Sequence, residues 1–168
     1  MSTVSINYSS YATITIAPEN VATSSTWTAG VESDAISNGT NLYVDALVAG
    51  VWRCGTTPTA NTEVRIYVYA QQDDTPTYPD VFDGTSSAET VTSAGVLTGV
   101  VRLLGTLYVD STTSNRDYFL APTSVAERFG GVLPKRWGLF IAHNTGVNSN
   151  TTAANHVWKY TGIKYDIA

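Results

Sequence analysis

Apolar and polar residues alternate along much of this chain, and the dominant period is two. Val4, Ile6 and Tyr8 alternate with polar neighbours, and so do Ala12, Ile14 and Ile16. That spacing puts the apolar side chains of each run on one side of an extended strand. Pro18 ends the second run. Residues 1–25 therefore read as an extended, Ser/Thr-rich arm able to serve as an edge strand, with Ser24-Ser25 as its hinge. From Thr26 the strand signals are dense. Strands are predicted from Trp27 to Ser33, from Leu42 to Val48 with a continuation from Val51 to Cys54 past a kink at Gly50, and from Glu63 to Gln71. Asn38-Gly39 and Thr56-Thr57-Pro58-Thr59 supply the turns between them. In the Glu63–Gln71 run, Val64, Ile66, Val68 and Ala70 share one face while Arg65, Tyr67 and Tyr69 share the other. The second face is amphipathic rather than wet, so both are expected to be covered.

Asp73 to Glu89 reads as a long acidic loop stiffened by Pro76 and Pro79. Val96 to Asp110 is apolar, with Gly99 and Gly105 as bulge positions, and Tyr118 to Ala121 is a short strand. One helix signal stands out. Pro122 opens it, Ser124 to Phe129 makes one or two turns, and Gly130 occupies the left-handed C-terminal cap. Arg136 to His143 and His156 to Ile167 complete the strands, separated by a turn at Asn144-Thr145-Gly146. No repeat of fixed period is present. About eight strands with frequent turn punctuation predict an all-β fold. The expected form is an antiparallel β-sandwich, jelly-roll-like, with one short helix. The expected division is an N-terminal arm over 1–25 and a sandwich domain over 26–168.

Composition narrows the class further. Of 168 residues, 25 are Thr and 15 are Ser, whereas only 14% are charged, against about 25% in an ordinary globular domain. The aromatic content of 11% excludes a disordered chain. Without an apolar run of about 18 residues no membrane-spanning helix is expected, and Met1 to Ser5 lack the basic and apolar parts of a signal peptide. The net charge of −5 argues against binding nucleic acid by phosphate neutralisation. It is unevenly spread. Residues 1–101 hold two positive and ten negative side chains, whereas residues 102–168 hold seven and four. Head-to-tail contact between copies is one reading of that asymmetry, and intermixing within one domain is the other. Cys54 is the sole cysteine, which excludes an internal disulfide and a cysteine-based metal site. Three Asn-x-Ser/Thr sequons, at Asn7, Asn38 and Asn150, compare with about two from composition alone and carry no weight without a secretory signal.

Candidate chemistry is sparse. His143 and His156 are the only histidines, each beside a strand end, and no Gly-x-Ser-x-Gly elbow accompanies them. The carboxylates are spread over loops rather than paired as sugar hydrolysis requires. Asp73, Asp74, Asp80, Asp83 and Glu89 offer oxygen ligands of the type Ca²⁺ takes, without the spacing of an EF-hand. No catalytic residue, metal ligand or cofactor is assigned. Tyr67, Tyr69, Tyr78, Phe82, Tyr108, Trp137, Trp158, Tyr160 and Tyr165 suit a core or a subunit interface, with a sugar-stacking platform as the alternative. Low charge content suits subunit packing. With three lysines in the chain, strand edges are poorly guarded against pairing.

Several stretches carry a resemblance. Gly55-Thr56-Thr57-Pro58-Thr59-Ala60 leads into Glu63-Val64-Arg65-Ile66-Tyr67-Val68-Tyr69, and Asp74-Thr75-Pro76-Thr77-Tyr78-Pro79-Asp80-Val81-Phe82-Asp83-Gly84 follows. Later come Phe129-Gly130-Gly131-Val132-Leu133-Pro134-Lys135-Arg136-Trp137-Gly138-Leu139-Phe140 and His143-Asn144-Thr145-Gly146. The pattern resembles a group of small virion structural proteins of tailed bacteriophages, over about residues 26–168. These motifs are turn and strand chemistry, so no functional residue carries over. The resemblance implies a non-enzymatic role, foremost that of a capsid decoration (cement) protein on the outer head surface. It would be made in the host bacterial cytoplasm and partnered by the major capsid protein and by copies of itself, three being the expected number. A glycan-binding module or a minor tail or fibre component is the alternative. The expected contact residues are Val4, Ile6, Tyr8, Tyr11, Ile14, Ile16, Tyr78 and Phe82.

Overall fold

The computed structural model describes residues 3–75 and 77–167, and the side chain of Ile167 is left out. Pro76, one of the two prolines expected to stiffen the acidic loop, lies outside the described residues. Among the described residues eleven strands occur in the order β1 (Val4–Tyr8), β2 (Ala12–Thr13), β3 (Ala29–Glu32), β4 (Ile36–Ser37), β5 (Asp45–Arg53), β6 (Thr62–Ala70), β7 (Ser87–Thr90), β8 (Arg102–Val109), β9 (Asp117–Ser124), β10 (Arg136–His143) and β11 (Val157–Ile167). One α-helix is found among the described residues, α1 (Ala94–Val100), which precedes β8, and 3₁₀ turns occupy Ala126–Phe129 and Ala153–Asn155.

The strands form two antiparallel sheets packed face to face. The first has the order β1-β11-β5-β9, with β2 also on β11; the second has the order β7-β3-β10-β6-β8, with β4 also on β10. The all-β antiparallel sandwich is as expected, while the jelly-roll order is not established by these pairings. Trp52, Trp137, Trp158, Val48, Ile66 and Leu139 fill the space between the sheets. A second apolar cluster lies on the far side of the second sheet. There Tyr67, Tyr69 and Phe140 are covered by Tyr78, Phe82, Val91, Leu97 and Val101, from α1 and the segment before it. Phe82 stacks on Tyr69 with ring centroids 4.7 Å apart. The strand β6 is thus buried on both faces.

Several local expectations change. Val96 to Val100 is helical rather than extended. Ser93 caps that helix, its hydroxyl accepting from Val96 N–H at 3.2 Å. Val, Thr and Gly are poor helix formers, so burial of Leu97 and Val101 against the second cluster holds the turns. Pro122 lies inside β9. Ala121 and Pro122 together face Ala49 where the β5–β9 register shifts, and a bulge is where a strand accepts proline. The helical turns after it are 3₁₀, beginning at Ala126, and Gly130 takes the expected left-handed cap with φ 74°. Beside Gly105 the register of β6 against β8 shifts as well, with Leu104 as the extra residue.

Within residues 3–25, two strands join the first sheet. β1 and β2 pair with β11 of the same chain. Ile14 N–H donates to Trp158 C=O, Asp34 N–H to Thr15 C=O and Ser24 N–H to His143 C=O. Residues 14–24 therefore cross from one sheet to the other and close an edge of the sandwich.

Gly50 shows how tightly the inter-sheet layer is packed. It pairs with Trp158 across the β5–β11 ladder, and a Cβ placed there would lie 2.2 Å from the indole ring. Gly50→Ala is expected to lower stability by about 1–3 kcal/mol, the usual cost of an overpacked core, read as a reduced urea midpoint with unchanged m-value.

A candidate assembly surface

The register of β11 divides the functional question in two. Its residues Val157, Lys159, Thr161, Ile163 and Tyr165 alternate with Trp158, Tyr160 and Gly162, and Trp158 faces the core. The first set points away from the sandwich. The partners across the ladders extend the outward face. Val157 pairs with Val51, Lys159 with Ala49 and Thr161 with Leu47, while Val51 pairs with Phe119 on β9. Tyr11, Ala49, Val51, Phe119, Val157 and Lys159 border a shallow groove of about 400 Å³.

Beyond Ile163, β11 leaves β5 and continues with β1 alone. The two terminal strands make a ribbon running past the body. On its outward side Ile6 pairs with Tyr165 and Tyr8 with Ile163. On its other side Asn7 faces Lys164 and Ser5 faces Asp166, and Asn7 Nδ2 donates to the Asp166 carboxylate at 2.7 Å. Val4, Ile6 and Tyr8 are 64%, 61% and 59% exposed, Phe119 is 70% exposed, and Tyr11 and Tyr165 are likewise exposed. A two-stranded ribbon in water is marginal by itself, yet this one displays its apolar side to solvent.

The ribbon also has an open edge. Val44 N–H donates to Ile163 C=O and Ser9 N–H donates to Gly162 C=O. In an antiparallel ladder these directions alternate, so Val4, Ile6 and Tyr8 turn their backbone N–H and C=O groups away from β11. No charge, proline or bulge guards that edge, which are the usual devices against further strand pairing.

The predicted contact residues therefore separate into two sets. Val4, Ile6, Tyr8 and Tyr11 lie together on the exposed face. Ile14 is buried between the sheets, and Ile16 is partly buried against the same core, bridged to Ser33. Tyr78 and Phe82 are buried in the second cluster, because the second sheet needs an apolar cover on its far side. Those four serve the protein's own core and are corrections to the sequence reading. Phe119, Val157 and Val51 were missed. The alternation around Val51 and Phe119 was legible, but which side of the strand faced out was not.

Elsewhere the chemistry-bearing side chains are engaged internally. Tyr69, Trp137 and Trp158 are fully buried and Tyr67 nearly so, so the expected aromatics do not assemble into a stacking platform. Asp80 accepts from Thr92 N–H and hydroxyl, Asp83 from Thr85 N–H, and Asp74 pairs with Lys135 at 2.8 Å. Among the described residues no three His, Cys, Asp or Glu side chains converge as a metal site. Glu32, fully buried in β3, accepts from Gly84 N–H at 2.6 Å and Asp83 N–H at 3.3 Å. Burial raises its pKa against the lowering effect of those bonds. Cys54 is buried and its thiol pKa is raised by burial. Among the described residues no helix is long and apolar enough to cross a membrane.

No family model, curated protein or solved structure matches this chain.

The two histidines flank Trp52 and hold loops. His143 Nε2 donates to Val21 C=O at 2.9 Å, on the segment that closes the sandwich, and Nδ1 faces the Thr145 hydroxyl at 2.9 Å. His156 Nδ1 accepts from Arg53 N–H at 3.3 Å while Nε2 donates to Asn150 C=O at 3.0 Å. The His156 pattern is that of a neutral imidazole, and burial lowers both pKa values below 6.5. A depressed folded-state pKa gives stability that is present above about 6.5 and lost as pH falls through the folded value. Glu32 acts in the opposite sense as pH falls toward 4.5. NMR titration should show both imidazoles titrating below pH 6.5. The double variant His143→Gln, His156→Gln should lose less stability than the parent between neutral and mildly acidic pH, measured by urea unfolding.

Proposed function

We propose that this chain is a structural protein of a bacteriophage virion, acting as a decoration protein on the outer surface of the head. The observation that carries the reading is the terminal ribbon, whose apolar side and unguarded edge are both open to a partner. The sequence resemblance to small phage virion proteins supplies the setting, and the low charge content agrees with a surface made for contact.

The role is mechanical. The open edge of β1 adds a strand to the shell, by main-chain hydrogen bonds to a neighbouring strand of the major capsid protein. Many copies repeated by the symmetry of a head turn a modest contact into a strong one through effective concentration. The body, with both of its cores dry, carries load between the attachment points. The partners are protein surfaces, and the chemistry needs no cofactor.

Binding of the purified protein to mature and immature heads of the encoding phage tests this, with copy number counted by electron microscopy. Binding to the mature outer surface at many copies per head is expected. Ile6→Pro removes an N–H that points away from β11 and so leaves the β1–β11 ladder intact. That variant should lose about tenfold or more in head affinity while its unfolding curve stays close to the parent's. Absence from both heads ends the reading, and a few copies at a tail or connector replaces it with a minor tail component.

A further inference from the structure

Edge pairing accounts for β1 but leaves the outward face of the first sheet uncovered. Val4, Ile6, Tyr8, Tyr11, Tyr165 and Phe119 all belong to that face by ladder register. Its two ends, at Tyr165 and at Val157 beside Phe119, are eight residues apart on β11, about 26 Å at strand rise. With about 150–250 Å² for a fully exposed aromatic side chain and less for an aliphatic one, those six expose roughly 700 Å². Monomeric proteins seldom show a patch above about 300–600 Å². One partner in a standard specific interface contributes about 800 Å².

The charges on the face decide what covers it. Lys159 stands near the groove. Arg53 and Asp117 pair across the ladder at 2.6 Å. Asp45 is tied to Ala46 N–H and Ala126 N–H. Two positive and two negative groups give no net charge, although the whole chain carries −5. A basic partner finds no acidic field here and an acidic one finds no basic field. The surface that matches an apolar face of no net charge without repulsion is the same face on another molecule, and two copies satisfy each other in an isologous contact across a two-fold axis.

We infer that the outward face of the β1-β11-β5-β9 sheet is a self-association surface, on which a second copy of this chain stacks sheet against sheet. Stacking places the ribbon of one copy over the outward face of its partner and dries the apolar side of both. The open edge of β1 stays free in this arrangement, because the contact is made by side chains perpendicular to the sheet. The inference rests on the proposed structural role for its setting, and the sheet face alone supplies its physics. Two-fold stacking takes the place of the three copies expected from the sequence.

The test is the mass of the full chain by light scattering and sedimentation equilibrium over a wide concentration range. A dimer is expected. Phe119→Lys and Tyr11→Lys lie on the body end of the face, away from the β1 edge, and both replace exposed side chains. Each should weaken the dimer by about tenfold or more, with thermal unfolding of the monomer unchanged, while Phe119→Leu retains the dimer. A parent that stays monomeric, an assembly of another mass, or a dimer indifferent to both lysine variants overturns the inference. Head binding by a monomeric parent would sink the dimer and spare the virion reading, whereas a dimer that ignores heads would do the reverse.

Discussion

The β6–β10 pair carries large apolar side chains on both of its faces, and each face must be dried. On one side Val64, Ile66, Val68, Leu139 and Ile141 meet the first sheet. On the other, Tyr67, Tyr69 and Phe140 need a second cover, and α1 with the segment before it supplies one. Burying both faces of that pair at about 25 cal/mol per Å² sets the layered arrangement of the molecule. Sheet, sheet and cap follow one another, and the cap lies on one side only.

The asymmetry has a consequence for the first sheet. Its inner face is committed to Trp52 and Trp158, but among the described residues no second layer covers its outer face, where Phe119 is exposed. A wet outer face would read as hydrophilic positions alternating with the core positions. Here Val51, Val157, Phe119 and Tyr165 occupy them instead. The terminal ribbon exaggerates the pattern, because beyond β5 there is no core beneath it and its apolar side is still kept. Capping loops give the second sheet its own shelter, while the first sheet keeps a contact surface. Closure of the sandwich by residues 14–24, through His143 and Ser149, anchors the base of that ribbon.

The strands over Trp27–Ser33, Glu63–Gln71, Arg136–His143 and His156–Ile167 were legible, because side chains on a pleated backbone alternate whatever they pack against. The double burial of β6 was legible too, from tyrosines on its second face. Gly130 could be placed because a left-handed cap demands a residue without Cβ strain. The helix at Ala94–Val100 was not legible. Val96, Thr98 and Val100 suit a strand by intrinsic preference, and only burial of Leu97 and Val101 against the second cluster in the folded chain makes a helix the better arrangement. Pro122 misled for a similar reason, since proline is read as a boundary and here fills a bulge created by register.

Sequence alone determined that this chain is built of antiparallel strands, that its surface is poor in charge and that its strand edges are weakly guarded. These are local properties, written in residue type and spacing. The tertiary structure decided which apolar residues are kept and which are shown. Ile14, Tyr78 and Phe82 went inside while Val4, Ile6, Tyr8 and Phe119 stayed out. A strand's alternation names two faces without saying which one meets the core. That choice belongs to the second layer, which forms only when residues far apart in the chain come together.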